Sequence, residues 1–357
     1  MENVVTKEAL VSFWQDKRVF LTGHTGFKGC WMLLFLKLLG ANVWGYSLPP
    51  ETPSLYESIF GEGEAQNGVF ADIRDKNRLS KELSDFSPDI VFHLAAQPLV
   101  RESYLQPAYT YEANVMGTVH LLEAVRATLS VKSVVVVTTD KCYKDMNWEW
   151  GYRETDALGG YDPYSSSKAC VELLCDAWRN SFLAEMGTLL ATARAGNVIG
   201  GGDWAKDRLI PDAIRAFSQG ETLTIRCPNA VRPWQHVLEP LVGYMMLAQK
   251  LFEGDVSFCN AWNFGPLPSD SRKVSEVVER ISALWGEKTD YRLDRTTHHH
   301  ESNLLRLDAS RAMRKLGWLP SWKFEEAVTL TIEWYKRFLQ GERALSLINM
   351  QIETFLR

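Results

Sequence analysis

A doubly wound parallel α/β sheet, followed by a smaller C-terminal α/β lobe, is the fold class the sequence predicts. Short β-branched runs at residues 18–22, 42–46, 68–70, 90–95, 133–138 and 189–193 alternate with amphipathic stretches. A turn holding three glycines follows the first run directly. The run 134–137 is apolar on both pleat faces, as a strand covered by helices above and below must be, and it is placed in the interior of the sheet.

The alternation loosens after Gly196 into Gly200-Gly201-Gly202. Residues 1–195 are therefore expected to form the sheet-bearing domain and 196–357 mainly the second lobe, with the chain free to cross between them. Within the second part the pattern predicts helices over 211–219, 238–252, 274–285 and 324–339 and a strand near 222–226. His298, His299 and His300 resemble metal bait, but adjacent side chains point in different directions and no carboxylate spacing supports them, so they are read as a loop without metal.

Composition narrows the partners. The 357 residues are 46% hydrophobic and carry a net charge of -5 without a basic run, which recommends neither nucleic acid nor a membrane surface. The apolar run 30–39 is broken by Lys37 and closed by Gly40, too short to cross a bilayer, and reads as a buried helix. Residues 1–17 lack the basic, apolar and small-residue order of a secretory signal, and the six cysteines show no paired spacing. A cytoplasmic protein with reduced thiols is the expectation.

Two local patterns carry the chemistry. In the first, Val19-Phe20-Leu21-Thr22 leads through Gly23-His24-Thr25-Gly26-Phe27-Lys28-Gly29 into an apolar helix. Glycines there permit a tight turn, close approach of a pyrophosphate, and hard packing of the helix on the sheet, whose N-terminal amides then meet the phosphates. This is a Rossmann-type dinucleotide site. The second strand ends in Gly45-Tyr46-Ser47 with no acid for the adenosine ribose, so it does not by itself choose NAD over NADP. In the second pattern Tyr164 and Lys168 stand four apart, on one face of a helix, downstream of a buried strand ending in Thr138-Thr139. The ammonium gives the phenol a reason to ionise.

From the glycine turn through Asn114 in Asn-Val-Met-Gly-Thr to Leu307-Asp308 and Leu316-Gly317-Trp318, the chain resembles the extended, nucleotide-sugar branch of the short-chain dehydrogenase/reductases. The resemblance implies NAD as cofactor, held by the turn Gly23 to Gly29, by Asp72 and Ile73 beside the adenine, by the small-residue wall Leu94-Ala95-Ala96-Gln97, and by Asn114, Thr138, Tyr164 and Lys168. His24 stands where the family usually has a small residue; it either weakens the cofactor's grip or faces solvent. Homodimers or dimers of dimers, joined by helices over 107–129 and 164–185, are implied as well.

Within that branch, Thr139-Asp140-Lys141 resembles the Thr-Asp-Glu or Thr-Asp-Lys of the 4,6-dehydratases. Loss of water across C5 and C6 of a hexose needs one group to take the C5 proton and another to protonate the departing C6 hydroxyl, and an adjacent acid and amine suit that task. Tyr164 is then the base at the C4 hydroxyl, with Thr139 steadying the same oxygen and Lys168 holding ribose. Lys141 takes the C5 proton and Asp140 serves as acid, or the two exchange roles. As base, Lys141 needs a neutral amine, which crowding by Lys168 and the oxidised nicotinamide can supply.

On the substrate side, Arg194 and Asn197, then Asp203-Trp204, resemble the segment that receives the nucleotide diphosphate, with Arg208, Arg232 and His236 as further candidates. Arg101 and Tyr104 are placed at the border of the sugar pocket. The combination of 139–143, 95–101 and 200–204 implies CDP-glucose as the favoured substrate. Two rivals stand beside this reading. A 4-epimerase needs Tyr164 and Lys168 but no C5 base, and a non-catalytic nucleotide sensor needs neither.

Overall fold

The computed structural model describes residues 7–63, 65–286, 289–294 and 304–357; the histidines at 298–300 lie outside them. The chain runs α1 (Lys7–Trp14), β1 (Arg18–Thr22), α2 (Phe27–Leu38), β2 (Asn42–Ser47), α3 (Leu55–Phe60), β3 (Gly68–Phe70), α4 (Lys76–Phe86), β4 (Ile90–His93), α5 (Val100–Leu105), α6 (Pro107–Tyr111), α7 (Gly117–Ala127), β5 (Ser133–Val137), α8 (Pro163–Trp178) and β6 (Leu189–Ala195). It continues through β7 (Asn197–Ile199), α9 (Leu209–Ser218), β8 (Leu223–Ile225), β9 (Val231–His236), α10 (Leu238–Phe252), β10 (Ala261–Phe264), β11 (Ser271–Lys273), α11 (Val274–Trp285), β12 (Tyr291–Leu293), α12 (Phe324–Leu339) and α13 (Ala344–Phe355).

Seven strands in the order β10-β6-β5-β4-β1-β2-β3 make the main sheet, and all its pairings are parallel. The doubly wound class read from the sequence is what forms. Strand β5 lies inside the sheet, and its valines divide between the two faces: Val135 and Val137 enter one core cluster, Val134 and Val136 the other. In α2 the run from Cys30 to Leu36 is buried throughout, as the apolar stretch required. The order of strands reverses between β1 and β4, and the crevice beyond their C-terminal ends is where such sheets bind ligands.

Beyond Gly196 the chain builds two small sheets, β11-β9-β7 and β12-β8, and then returns. Strand β10 pairs with β6 at the edge of the large sheet, and α10 covers β5 and β6. The sequence showed no strand at Ala261–Phe264 because its four residues contain only aromatic, small and amide side chains. The helix expected over 107–129 is interrupted by a π turn at Glu112–Met116, and α8 passes into another at Arg179–Leu183. Among the described residues no helix is long and apolar enough to cross a membrane.

The C-terminal region is tied down through a buried carboxylate. Glu239, at the start of α10, accepts the backbone N–H groups of Ser321 and Trp322, and burial pushes it up to about 7 against those bonds. A raised carboxyl favours the protonated folded form, so its contribution is complete near pH 4.5 and is lost as pH rises through about 7. Glu239→Gln is expected to flatten the decline of melting temperature across that window. An unchanged slope would show that Glu239 does not titrate there.

Candidate active site

The glycine turn is built by contact, not by flexibility. Gly23 takes a left-handed φ of +77°, and a Cβ there would stand 2.7 Å from the Ala95 amide nitrogen. One on Gly29 would stand 2.0 Å from the Gly23 carbonyl oxygen. Gly26 differs: it is exposed, a Cβ would meet nothing nearer than 3.4 Å, and α2 begins at it with no side-chain cap. The first-turn amides of α2 are therefore left to a ligand's oxygens, so these residues fit a dinucleotide pyrophosphate.

Thr25 hydrogen-bonds Ser47 at 2.7 Å and donates to the Leu48 carbonyl, tying the turn to the end of β2. His24 is fully buried, which removes the solvent-facing alternative. Its ring stacks on Phe70, meets Tyr56 edge-on, and occupies the room left by Gly45, where a Cβ would lie 2.4 Å from His24 Cγ. Burial, against a smaller opposing influence of the Tyr46 backbone, pushes the imidazole down to about 4, so it is neutral near pH 7.

Other residues expected at the cofactor have their side chains committed elsewhere. Asn114 donates from Nδ2 to the Gln97 carbonyl and Ser167 Oγ, and its Oδ1 accepts from the Gln97 N–H at 2.8 Å. Gln97 donates to Thr110 and accepts from Leu99, and Thr138 donates to Glu172. These three side chains brace the protein behind the site. Leu94 and Ala95 pack at Gly23, Asp72 is paired with Arg74 at 2.7 Å, and Ile73 is buried against Gly117.

The helix that carries Tyr164 and Lys168 starts where its cap dictates. Asp162 accepts the Ser165 N–H at 2.9 Å and the Ser165 hydroxyl at 2.6 Å, and Pro163 opens the first turn. This fixes Tyr164 in the first turn and Lys168 one turn later. Thr139 stands close enough to Tyr164 to favour its ionised form. Thr139 Oγ1 donates to Asp140 Oδ1 at 3.0 Å, and Lys141 Nζ reaches the same oxygen at 3.4 Å. The four side chains thus form one continuous row. Asp140 is 1% exposed and its Oδ2 has no hydrogen-bond partner, whereas the Lys141 side chain is 32% exposed.

The expectation that Lys168 eases ionisation of Tyr164 does not describe this state. Burial pushes the phenol up to about 12, with Thr139 opposing and the Asp140 charge adding to the rise. Lys168 donates to the Val137 carbonyl at 3.2 Å and is pushed down to about 8 by burial, against the Glu172 charge. Lys28, expected at the cofactor within the glycine turn, also brings a side-chain amine toward this row. Lys28 Nζ lies 3.5 Å from the Tyr244 hydroxyl; burial, Arg208 and Lys168 push it down to about 7, with Asp140 opposing.

On the substrate side two expectations fail outright. Arg194 is sealed in the interior at 3% exposure, paired with Glu172 at 2.8 Å and bonded to Tyr143, and cannot receive a diphosphate there. His236 is fully buried between Trp31 and Trp322. Trp204 packs on Tyr335 and Phe338, against the large hydrophobic core that also holds β1 and α2. Arg208 pairs with Asp203 at 2.9 Å and stands close enough to influence Tyr164. Arg101 reaches Asp207 at 2.8 Å, joining α5 to the loop before α9, and Tyr104 on the same helix is half-buried. Arg232 is buried in β9, donating to the Val231 carbonyl, and Asn197 opens β7 opposite Trp234.

Comparison with known proteins agrees with this fold. The chain is 49% identical over 351 residues to the CDP-glucose 4,6-dehydratase of Salmonella typhimurium, covering 97% of this chain and 98% of that one. Among solved structures, an epimerase of Methanothermobacter thermautotrophicus superposes with a TM-score of 0.82 at 23% identity, over 95% of this chain and 97% of its own. The dTDP-glucose 4,6-dehydratase of Bacillus anthracis, solved in complex with NAD, gives 0.75 at 22% identity, over 92% and 99%. The model of the GDP-mannose 4,6 dehydratase family matches residues 20–331, and the chain belongs to that family.

Proposed function

We propose that this protein is a CDP-glucose 4,6-dehydratase that uses NAD and yields CDP-4-keto-6-deoxyglucose. The row Tyr164–Thr139–Asp140–Lys141 carries the reading, because it brings a phenol, an acid and an amine side by side. The 49% identity to the Salmonella enzyme over nearly the full chain supports CDP-glucose as substrate.

NAD, when bound, supplies a reversible acceptor that takes hydride from C4 and returns it at C6. Tyr164 takes the C4 hydroxyl proton while Thr139 holds the oxygen. The 4-ketone acidifies the C5 proton, which Lys141 removes as Asp140 protonates the departing C6 hydroxyl. The Asp140 charge raises the phenol, so the two groups act on each other directly. Arg208, with Lys28 behind it, supplies positive charge on the substrate side, and Arg101 and Tyr104 border the opening.

We assign the protein to the cytoplasm as a homodimer or dimer of dimers. Exposed Leu105, Met116, Leu173 and Phe182, on the helical layer that contains α5 and α8, support an interface there.

Incubation with CDP-, dTDP-, UDP- and GDP-hexoses in heavy water, read by mass spectrometry, tests the function. A product of CDP-glucose that has lost water and carries deuterium at C5 is expected. Epimerisation at constant mass, or no change in any sugar, would overturn the reading.

A further inference from the structure

We propose that the buried ion pair Glu172–Arg194 is a clamp that holds both ends of the turn 139–142, making these two residues positioning residues for elimination; the catalytic part of this rests on the dehydratase reading. Glu172 continues the row of Tyr164 and Lys168 on α8, another four residues on, so it meets the back of the same site. At the entry to the turn, Thr138 Oγ1 donates to Glu172 Oε1. At its exit, Arg194 Nη1 donates to the Tyr143 hydroxyl at 2.7 Å, and the guanidinium lies 4.9 Å from the Tyr143 ring centre. Arg194 Nη2 closes the bracket on Glu172 Oε2 at 2.8 Å.

Both partners are anchored to the sheet. Thr192 on β6 donates to Glu172 Oε2 at 2.7 Å, and Arg194 is itself a β6 residue. The Tyr143 hydroxyl donates onward to Asn263 on β10 at 2.7 Å. The turn is thus fixed to two neighbouring strands through side chains 3% exposed. A buried pair of this kind adds little net stability over apolar residues of similar size, so its retention fits a geometric duty. That duty is demanding, since displacing an acid and an amine by about 1 Å costs on the order of 100-fold in rate. Arginine suits it because its rigid planar fork holds one donor on the carboxylate and another on the phenol in fixed directions, whereas lysine's donors rotate on a flexible stem.

Glu172 also acts on Lys168. Its charge holds the ammonium up against burial, with Cys142 and Cys175 acting in the same direction, while His93 on β4 and Lys28 on α2 are the other titratable groups within electrostatic reach. Removing the carboxylate lets Lys168 lose its proton at lower pH.

The test uses the double variant Glu172→Gln/Arg194→Met, which removes both charges together and avoids an uncompensated buried ion, alongside Arg194→Lys. In the double variant, amide exchange at Lys141 and Cys142 should quicken by ~10-fold or more while strands β1 and β4 keep their protection. Its kcat should fall by ~30-fold or more, with the alkaline limb of the pH profile displaced downward by about one pH unit. Arg194→Lys keeps the Glu172 charge, so it should lose turnover without that displacement. Unchanged exchange at the two amides overturns the clamp, whatever the turnover. Because exchange is measured without substrate, a wild-type protein that dehydrates no sugar would remove the dehydratase reading and leave the clamp result standing.

Discussion

Replacing Lys141 by methionine is expected to lower dehydration by ~1000-fold while NAD affinity stays within about twofold, the loss typical of removing a positioned general base. Among the described residues the side chain makes one polar contact, to Asp140, and no hydrogen bond to the glycine turn. C4 oxidation depends on Tyr164 and Thr139, so reduced cofactor should accumulate in single turnover even though water is retained. Asp140→Asn separates the two roles left open at this pair. If Lys141 is the base, that variant still exchanges the C5 proton with heavy water but does not expel the C6 hydroxyl. If Asp140 is the base, Asp140→Asn loses exchange, and Lys141→Met retains it. Normal turnover in Lys141→Met would take the lysine out of the mechanism.

What the sequence disclosed and what it withheld follow from the range of the interactions involved. The glycine turn and the Tyr164–Lys168 spacing are local: a turn needing φ of +77° at Gly23 and a helix face of period 3.6 are written in consecutive residues. Thr139 to Lys141 was legible for the same reason. The burial of Arg194 and His236 was not, because it depends on partners far along the chain, Glu172 and Tyr143 for one, Trp31 and Trp322 for the other. An arginine beside a glycine-rich segment looks like a phosphate ligand until the strand's facing direction is known. Glu172 stood in plain view one turn beyond Lys168, yet its role appears only when β6 is laid against α8. His24 was noticed as bulky, and only the glycine at 45 explains how the ring fits inside. Strand β10 was hidden because the sheet supplies its order, with all four residues paired to β6 and three of them buried.

Removal of the phenol has the widest consequence. Tyr164→Phe is expected to reduce turnover by ~1000-fold or more, and unlike Lys141→Met it should abolish C5 exchange and cofactor reduction together, since both follow from the 4-ketone. The free-enzyme phenol, pushed up to about 12, is overwhelmingly protonated near neutrality, so its base form grows with pH and is lost as pH falls. Lys168, at about 8, works in the opposite sense, because its ammonium is lost as pH rises. The wild-type rate should therefore climb through the neutral range and turn down near the lysine's titration. Lys168→Met should remove the downturn along with most of the activity. Thr139→Val offers the intermediate case: it leaves the phenol in place but removes the hydroxyl between Tyr164 and Asp140 that favours the phenolate. Its oxidation step should need higher pH than the wild type. A Tyr164→Phe protein that still reduced its cofactor at the wild-type rate would place the C4 base elsewhere, with Lys28 and Lys168, the amines of depressed basicity, as the groups to examine.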